Sequence, residues 1–148
     1  MNTVTPEFYI AKKTNGNKIE SGQIKESLDI VNFLRKTFNK ETIEVNETFI
    51  AMFLNRHNDI IGWTMVSSGG VSATIVDTRM IMKVAIDCMA SNIVLAHNHP
   101  SGNTKPSEPD KQITKKIQTA AKYFDMEVLD HIIITADSHY SFANEGLI

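Results

Sequence analysis

Two histidines that are one residue apart are the first residues here whose types and spacing suggest chemistry. They are His97 and His99, within "LAHNHPSGNTKPSEPD" at residues 95–110. In an extended strand, residues i and i+2 point to the same side, so both imidazoles are expected to face one way. Neutral imidazole is a common zinc ligand, and two of them make half of a tetrahedral site. The spacing therefore predicts part of a metal site.

A third ligand is predicted at the start of the next helix. Asp110 lies three residues before Ile113, on the apolar stripe of a helix predicted at about 108–124. A carboxylate on a buried helix face needs a partner, because an unpaired buried charge is costly. A metal ion held by His97 and His99 would be that partner. Two histidines, one aspartate and an open position for water are typical of catalytic rather than structural zinc.

The same stretch also has structural interpretations. "SEPD" fits a capping box in which Ser107 is the N-cap of the helix, and "PSGNTKP" fits a loop. His131 lies in a predicted buried strand, and we interpret it as a packed, hydrogen-bonded histidine rather than a group that supports the metal. His57 and His139 fall in a predicted turn and loop. The letters H-N-H also name a class of nucleases, but those carry the three residues far apart, whereas here they are consecutive, so we give that interpretation little weight.

The elements that must position these residues alternate in type along the chain. Apolar periodicity predicts helices at about 24–38, 78–90 and 108–124. It predicts strands at about 7–13, 46–55, 60–66, 71–76, 92–96, 127–135 and 139–143. "RHND" turns a hairpin, "SSGG" breaks the chain after it, and either Asp77 or Thr78 caps the second helix. This order predicts an α/β fold with three layers, α-β-α, around a mixed sheet.

Length and composition fit one globular domain and exclude several classes of protein. The chain has 148 residues, 42% of them hydrophobic, with one cysteine and a net charge of −2. An internal disulfide and a four-cysteine zinc module are therefore excluded. We see neither a signal peptide nor the roughly 18 apolar residues of a membrane span, so we expect a cytoplasmic protein. The charge offers no long-range attraction to nucleic acid, so we expect DNA binding to be weak and salt-sensitive.

The compound motif resembles a known family. His97-x-His99, seven residues, Ser107, two residues and Asp110 is similar to the metal-binding motif of JAMM (MPN+) metallopeptidases. The fuller "HNHPSGNTKPSEPD" resembles the RadC branch, as do "SGGVSATIVDTRMI", "LDHIIIT" and "SFANEGLI". The resemblance runs from about residue 45 to the C-terminus, which divides the chain into an N-terminal strand and helix at 1–45 and a JAB/MPN domain at 46–148. It implies a cytidine-deaminase-like fold and a zinc ion held by His97, His99 and Asp110.

The family also requires an upstream glutamate. The residues alone do not choose among Glu41, Glu44 and Glu47, whereas the resemblance favours Glu47, which opens the strand "ETFIAMFLN". A carboxylate beside a zinc-bound water can take its proton and later protonate a departing amine. A Ser107 hydroxyl directed at the reacting oxygen would help to stabilise a tetrahedral intermediate.

Two features separate this chain from parts of that family. Asn98 stands between the histidines, as in the RadC branch, where deubiquitinating relatives carry serine or threonine. Longer RadC proteins carry a helix-hairpin-helix region, for which about 45 residues leave no room, and this weakens the expected link to DNA.

Three functions remain: a zinc hydrolase of peptide or isopeptide bonds, a DNA-repair or recombination factor, and a non-catalytic zinc-containing binding module. The metal motif with Glu47 favours the first, with a protein or peptide as substrate.

Overall fold

A five-stranded mixed sheet forms the centre of the fold in the computed structural model, which describes residues 22–69 and 75–148. The elements in chain order are α1 (Ser27–Thr37), β1 (Glu47–Leu54), β2 (Ile60–Gly69), α2 (Thr78–Asp87), β3 (Asn92–Asn98), α3 (Glu108–Lys122), β4 (Glu127–Ile134) and β5 (His139–Ser141). The strand order is β2-β1-β3-β4-β5. Strands β3 and β4 run parallel, and the other three neighbouring pairs run antiparallel. Helix α3 makes the crossover that a parallel pair requires.

Helices cover both faces of the sheet. Helix α1 packs on one face with Ile30, Val31, Phe33 and Leu34. Helices α2 and α3 pack on the other face, where Ile81, Ala85 and Ile117 lie against the sheet. Because both faces are covered, β1 and β3 are apolar on both sides, as their sequences suggested. The predicted three-layer α/β fold with a mixed sheet is confirmed.

The front half of the chain differs from the predicted elements at several boundaries. The first helix begins at Ser27 rather than at residue 24, after an N-terminal capping box made by Glu26 and Asp29. Strand β2 continues to Gly69, the third residue of the predicted "SSGG" break, because Glu47 still pairs with Gly69 at that end of the ladder. The strand predicted at 7–13 lies outside the described residues, as do residues 71–74 of the one predicted at 71–76. The last two residues of that stretch, 75 and 76, are not in a strand.

Both later helices are shorter than predicted. Asp77 caps α2 by accepting a hydrogen bond from the Arg79 amide at 2.9 Å, and the helix ends at Asp87 rather than at residue 90. Helix α3 ends at Lys122 rather than at residue 124. Phe124, the last residue of the predicted helix, lies outside α3 and is 52% exposed. None of the helices within residues 22–69 and 75–148 is long and apolar enough to span a membrane.

Candidate metal centre

The C-terminal end of β3 carries both histidines on one side. His97 pairs with Phe49 at the last step of the β1–β3 ladder, and the rings of these two residues stack with centroids 5.8 Å apart. The amide of His99 donates to the Ile134 carbonyl at 3.1 Å, so β3 keeps its direction for one more residue. The rings of His97 and His99 consequently lie 4.7 Å apart, centroid to centroid. The expectation that both imidazoles face one way is confirmed.

A capping box at the start of α3 brings Asp110 to the histidines. The Ser107 amide donates to Asp110 Oδ2 at 2.7 Å, and the Asp110 amide donates to Ser107 Oγ at 3.2 Å. This reciprocal pair turns the Asp110 carboxylate back toward the helix start. Its Oδ1 then lies 3.2 Å from His97 Nε2, and its Oδ2 lies 3.5 Å from His99 Nε2. The structural interpretation of Ser107 as N-cap is confirmed, and the same box holds the predicted third ligand.

His97, His99 and Asp110 form a group that could hold a metal ion. The Nε2 atoms of the two histidines lie 2.9 Å apart, and the candidate ligand atoms of all three residues lie within 4.8 Å of one another. His97 is buried, whereas the side chains of His99 and Asp110 are 16% and 14% exposed. His97 therefore lies on the buried side of the cluster, and His99 and Asp110 lie on the side that is open to solvent.

The hydrogen bond at the far side of the His99 ring determines which of its nitrogens carries the proton. His99 Nδ1 lies 2.6 Å from the backbone carbonyl oxygen of Asn103. A carbonyl oxygen only accepts, so the proton must be on Nδ1. In the neutral ring, the lone pair is then on Nε2, the atom that faces His97 and Asp110.

Hydrogen bonds through the buried side chains of Thr114 and His131 determine which nitrogen of His97 carries the proton. Thr114 Oγ1 donates its single proton to the Asp110 carbonyl at 2.6 Å, so it must accept from His131 Nδ1, also at 2.6 Å. His131 is fully buried, and burial lowers its pKa well below the usual range, which keeps the ring neutral. His131 Nε2 is then an acceptor for the His97 Nδ1 proton, 2.8 Å from that nitrogen. The lone pair of His97 is therefore on Nε2, facing His99 and Asp110.

The electrostatics of the cluster favour positive charge. Two imidazole lone pairs and a carboxylate repel one another unless a proton or a cation lies among them. The hydrogen bond with Asp110 accordingly raises the pKa of His99, and the nearby charge of Glu47 adds to this effect. Burial by itself would raise the pKa of Asp110, but the adjacent imidazoles of His97 and His99 outweigh it and hold that pKa well below its usual range.

Glu47 lies beside His99, where two surface clefts meet. Both residues border each cleft. The first cleft, of about 460 Å³, is otherwise lined by Glu44, Val45, Pro100, Ser101, Asn103 and Lys105. The second, of about 350 Å³, is otherwise lined by Phe49, Val76, Ser107, Pro109, Asp110 and Ile113. Of the three glutamates that the residues alone left open, Glu47 is the one that borders both clefts, and Glu41 borders neither.

The structure adds residues that the sequence analysis did not assign to the site. Thr114 is buried and joins His131 to the Asp110 carbonyl. Its position four residues after Asp110 was a usable signal, since residues i and i+4 share a helix face. His131 is a packed, hydrogen-bonded histidine, as we had interpreted it, but one of its bonds is to His97. His131 can therefore be both a packed, hydrogen-bonded histidine and a group that orients a candidate metal ligand. His57 and His139 are exposed.

A mixed sheet between helical layers, with two histidines at the end of a central strand and an aspartate in the first turn of the next helix, is consistent with a JAB/MPN-like fold. A family model described as the RadC-like JAB domain matches residues 24–147. The chain belongs to the RadC-like JAB domain family. The match includes α1 as well as the sheet and the ligand cluster.

Bacterial relatives carry the name UPF0758. The chain is 39% identical to a UPF0758 protein of Flavobacterium johnsoniae over 87% of its own length and 60% of that protein. It is 46% identical to one of Porphyromonas gingivalis over 69% of this chain and 45% of the relative. It is 40% identical to UPF0758 protein YfjY of Escherichia coli K12 over 69% of this chain and 64% of the relative. The chain thus spans about half to two thirds of the length of these relatives.

Proposed function

We propose that this domain is a zinc-dependent hydrolase of amide bonds in peptides or isopeptides. The observation that carries the proposal is the convergence of two imidazole lone pairs and one carboxylate beside Glu47. The separations among the three ligand groups are 2.9, 3.2 and 3.5 Å. Ligand atoms about 2.0–2.2 Å from a tetrahedral zinc ion are about 3.3 Å apart, which these separations approach. Two nitrogens and one oxygen suit zinc, whereas magnesium and calcium prefer oxygen ligands.

Each residue of the cluster has a distinct role in this proposal. His97, His99 and Asp110 hold the ion, and three protein ligands rather than four are the arrangement of catalytic zinc sites. When bound, zinc supplies Lewis acidity and makes water easier to ionise. The Glu47 carboxylate takes the proton from the attacking water and returns it to the departing amine.

The two clefts support a substrate that extends on both sides of the cluster. An amide within a polypeptide, or between a lysine side chain and a polypeptide, has bulky groups on both sides of the bond. The clefts provide space on both sides of Glu47 and His99. The second cleft is lined by the apolar residues Phe49, Val76 and Ile113, which suits a side chain of a protein substrate better than a sugar or a phosphate. A protein or peptide substrate is therefore part of the proposal.

Metal analysis combined with a substrate screen tests this function. We expect one zinc ion per chain and slow cleavage within a library of internally quenched peptides and lysine-linked isopeptides, abolished by 1,10-phenanthroline. Zinc without turnover on any library member would instead support a non-catalytic zinc-containing module. Tight, structure-selective DNA binding at near-physiological salt would support a role in repair or recombination, in place of the weak binding that we expect from the net charge of −2.

Ser107 is expected to serve both the helix and the reaction. Its Oγ accepts from the Asp110 amide, which leaves the hydroxyl proton to donate to the reacting oxygen. Ser107→Ala should therefore cost about 0.5–2 kcal/mol of stability and lower kcat by about 10²-fold, with zinc retained. Urea unfolding, metal analysis and steady-state kinetics measure the three effects.

Ser107→Gly is the control that separates the two roles. Glycine keeps most N-cap stability, so this variant should fold almost as stably as the parent. Low turnover in Ser107→Gly would assign the hydroxyl to the reaction. Recovery of both stability and turnover would leave Ser107 as a helix cap and contradict its catalytic role.

A further inference from the structure

The segment that carries Glu47 extends beyond the end of the β1–β3 ladder. The last pair of that ladder is Phe49 with His97, so Glu47 is two residues past it. On its other side, Glu47 still pairs with Gly69 of the edge strand β2. Toward β3, the backbone ladder no longer holds it. Toward β3, the residues that flank Glu47 are instead held by hydrogen bonds to a side chain.

Beyond the end of the backbone ladder, the side chain of Asn98 makes hydrogen bonds to the backbone around Glu47. Its Oδ1 accepts from the Thr48 amide at 2.7 Å, and its Nδ2 donates to the carbonyls of Ile43 at 2.7 Å and Asn46 at 2.8 Å. Asn98 is fully buried, so these bonds are made away from solvent. Two of the three partners, Asn46 and Thr48, directly flank Glu47 in the chain.

These bonds are made on the sheet face opposite the metal ligands. Phe49 packs in the apolar layer with α2 and α3, and residues on a strand alternate between faces, so Glu47 shares the Phe49 face. His97 stacks on Phe49 and belongs to the same face. Asn98, the next residue after His97, points to the α1 face, where its partner Ile43 is part of the core. Asn98 therefore holds the Glu47 segment from the α1 face of the sheet, whereas the ligand atoms lie on the other face.

We propose that Asn98 is a positioning residue that fixes Glu47 relative to the metal ligands. The proposal rests on the proposed function, in which Glu47 is the general base. A displacement of about 1 Å in a catalytic group can cost about 10²-fold in rate. An amide suits this position because it donates two hydrogen bonds and accepts at its oxygen. A serine or threonine hydroxyl has one proton and cannot donate to both carbonyls.

Asn98→Ala, compared with Asn92→Ala, tests the proposal. Asn92 is the matched control because its Nδ2 donates to Asn58 Oδ1 at 2.7 Å at the other end of β3, remote from Glu47. In Asn98→Ala we expect amide exchange of residues 46–48 to become at least about tenfold faster while β3 and β4 stay protected. We also expect zinc to be retained, KM to be unchanged and kcat to fall at least about tenfold. Asn92→Ala should show none of these changes at residues 46–48 or in kcat.

A double-mutant cycle distinguishes positioning from a general structural effect. If Asn98 acts through Glu47, Asn98→Ala should cause no further loss of kcat in a Glu47→Gln background. A further loss of the same size would overturn the proposal, as would unchanged exchange at residues 46–48. Should Asn98→Ala fail to fold, Asn98→Ser, which keeps one donor and one acceptor, is measured in the same way.

The exchange data separate this proposal from the proposed function. Faster exchange at residues 46–48 combined with unchanged turnover in Glu47→Gln would support the Asn98 anchor and contradict the role of Glu47 as base. Absence of any turnover in the parent protein would contradict the hydrolase itself. In that case, the exchange of the Thr48 amide alone decides whether Asn98 holds this segment.

Discussion

Glu47→Gln is expected to lower kcat by about 10²–10⁴-fold and to leave one zinc ion per chain. The amide has nearly the shape of the carboxylate but cannot take a proton from water at neutral pH. Because Glu47 is not among the three residues whose ligand atoms converge, its replacement should not release the metal. Zinc content, melting temperature and turnover on a cleavable substrate, measured on the same preparation, check the three parts of the expectation.

Glu41→Gln is the matched control for this substitution. Glu41 is an exposed glutamate that borders neither cleft. We expect the kcat of Glu41→Gln to stay within about twofold of the parent value, since Glu41 does not line the proposed substrate-binding surface. Loss of zinc from Glu47→Gln would indicate that Glu47 is a metal ligand. Unchanged turnover in Glu47→Gln would contradict its role as general base.

The choice among the glutamates shows how far sequence can predict this site. Which glutamate reaches His99 depends on strand register, because a slip of one residue would turn every side chain of β1 to the other face. The structure places Phe49 opposite His97, and Glu47 then shares a face with both. Neither Glu41 nor Glu44 lies in a strand. Apolar periodicity predicted the strand but contains no information on its pairing, so the residues alone left three candidates.

Local sequence patterns predicted the metal-ligand cluster better than they predicted the hydrogen bonds that orient it. The strand end at His97 and His99 and the capping box of Ser107 and Asp110 depend on neighbours within a few residues, and sequence records such neighbours directly. The hydrogen bond of His131 with His97 joins residues 34 apart, and those of Asn98 join residues 50 to 55 apart. Contacts of this kind arise from packing between elements. A sequence pattern can therefore identify the ligands and miss the groups that orient them.

Removal of any one of the proposed ligands is expected to abolish zinc binding. His97→Ala, His99→Ala and Asp110→Ala should each retain less than about 0.1 zinc ion per chain after dialysis, because two remaining ligands do not make a stable site. His57→Ala is the control, since His57 is exposed and lies in the β1–β2 turn, and it should keep one zinc ion per chain. A full complement of zinc in His97→Ala or His99→Ala would contradict the ligand assignment.

His131→Phe should weaken zinc binding without abolishing it. The ring of His131 lies between Phe49 and Phe142, with centroids 5.5 and 4.6 Å away, so a phenylalanine can occupy the same space. The substitution keeps all three ligands but removes the acceptor for the His97 Nδ1 proton. Loss of a group that orients a ligating histidine typically costs about 10–100-fold in metal affinity. Competition with a chromophoric chelator measures this affinity. An unchanged value would show that the ring of His97 needs no support from His131 and Thr114 to present its Nε2 to the metal.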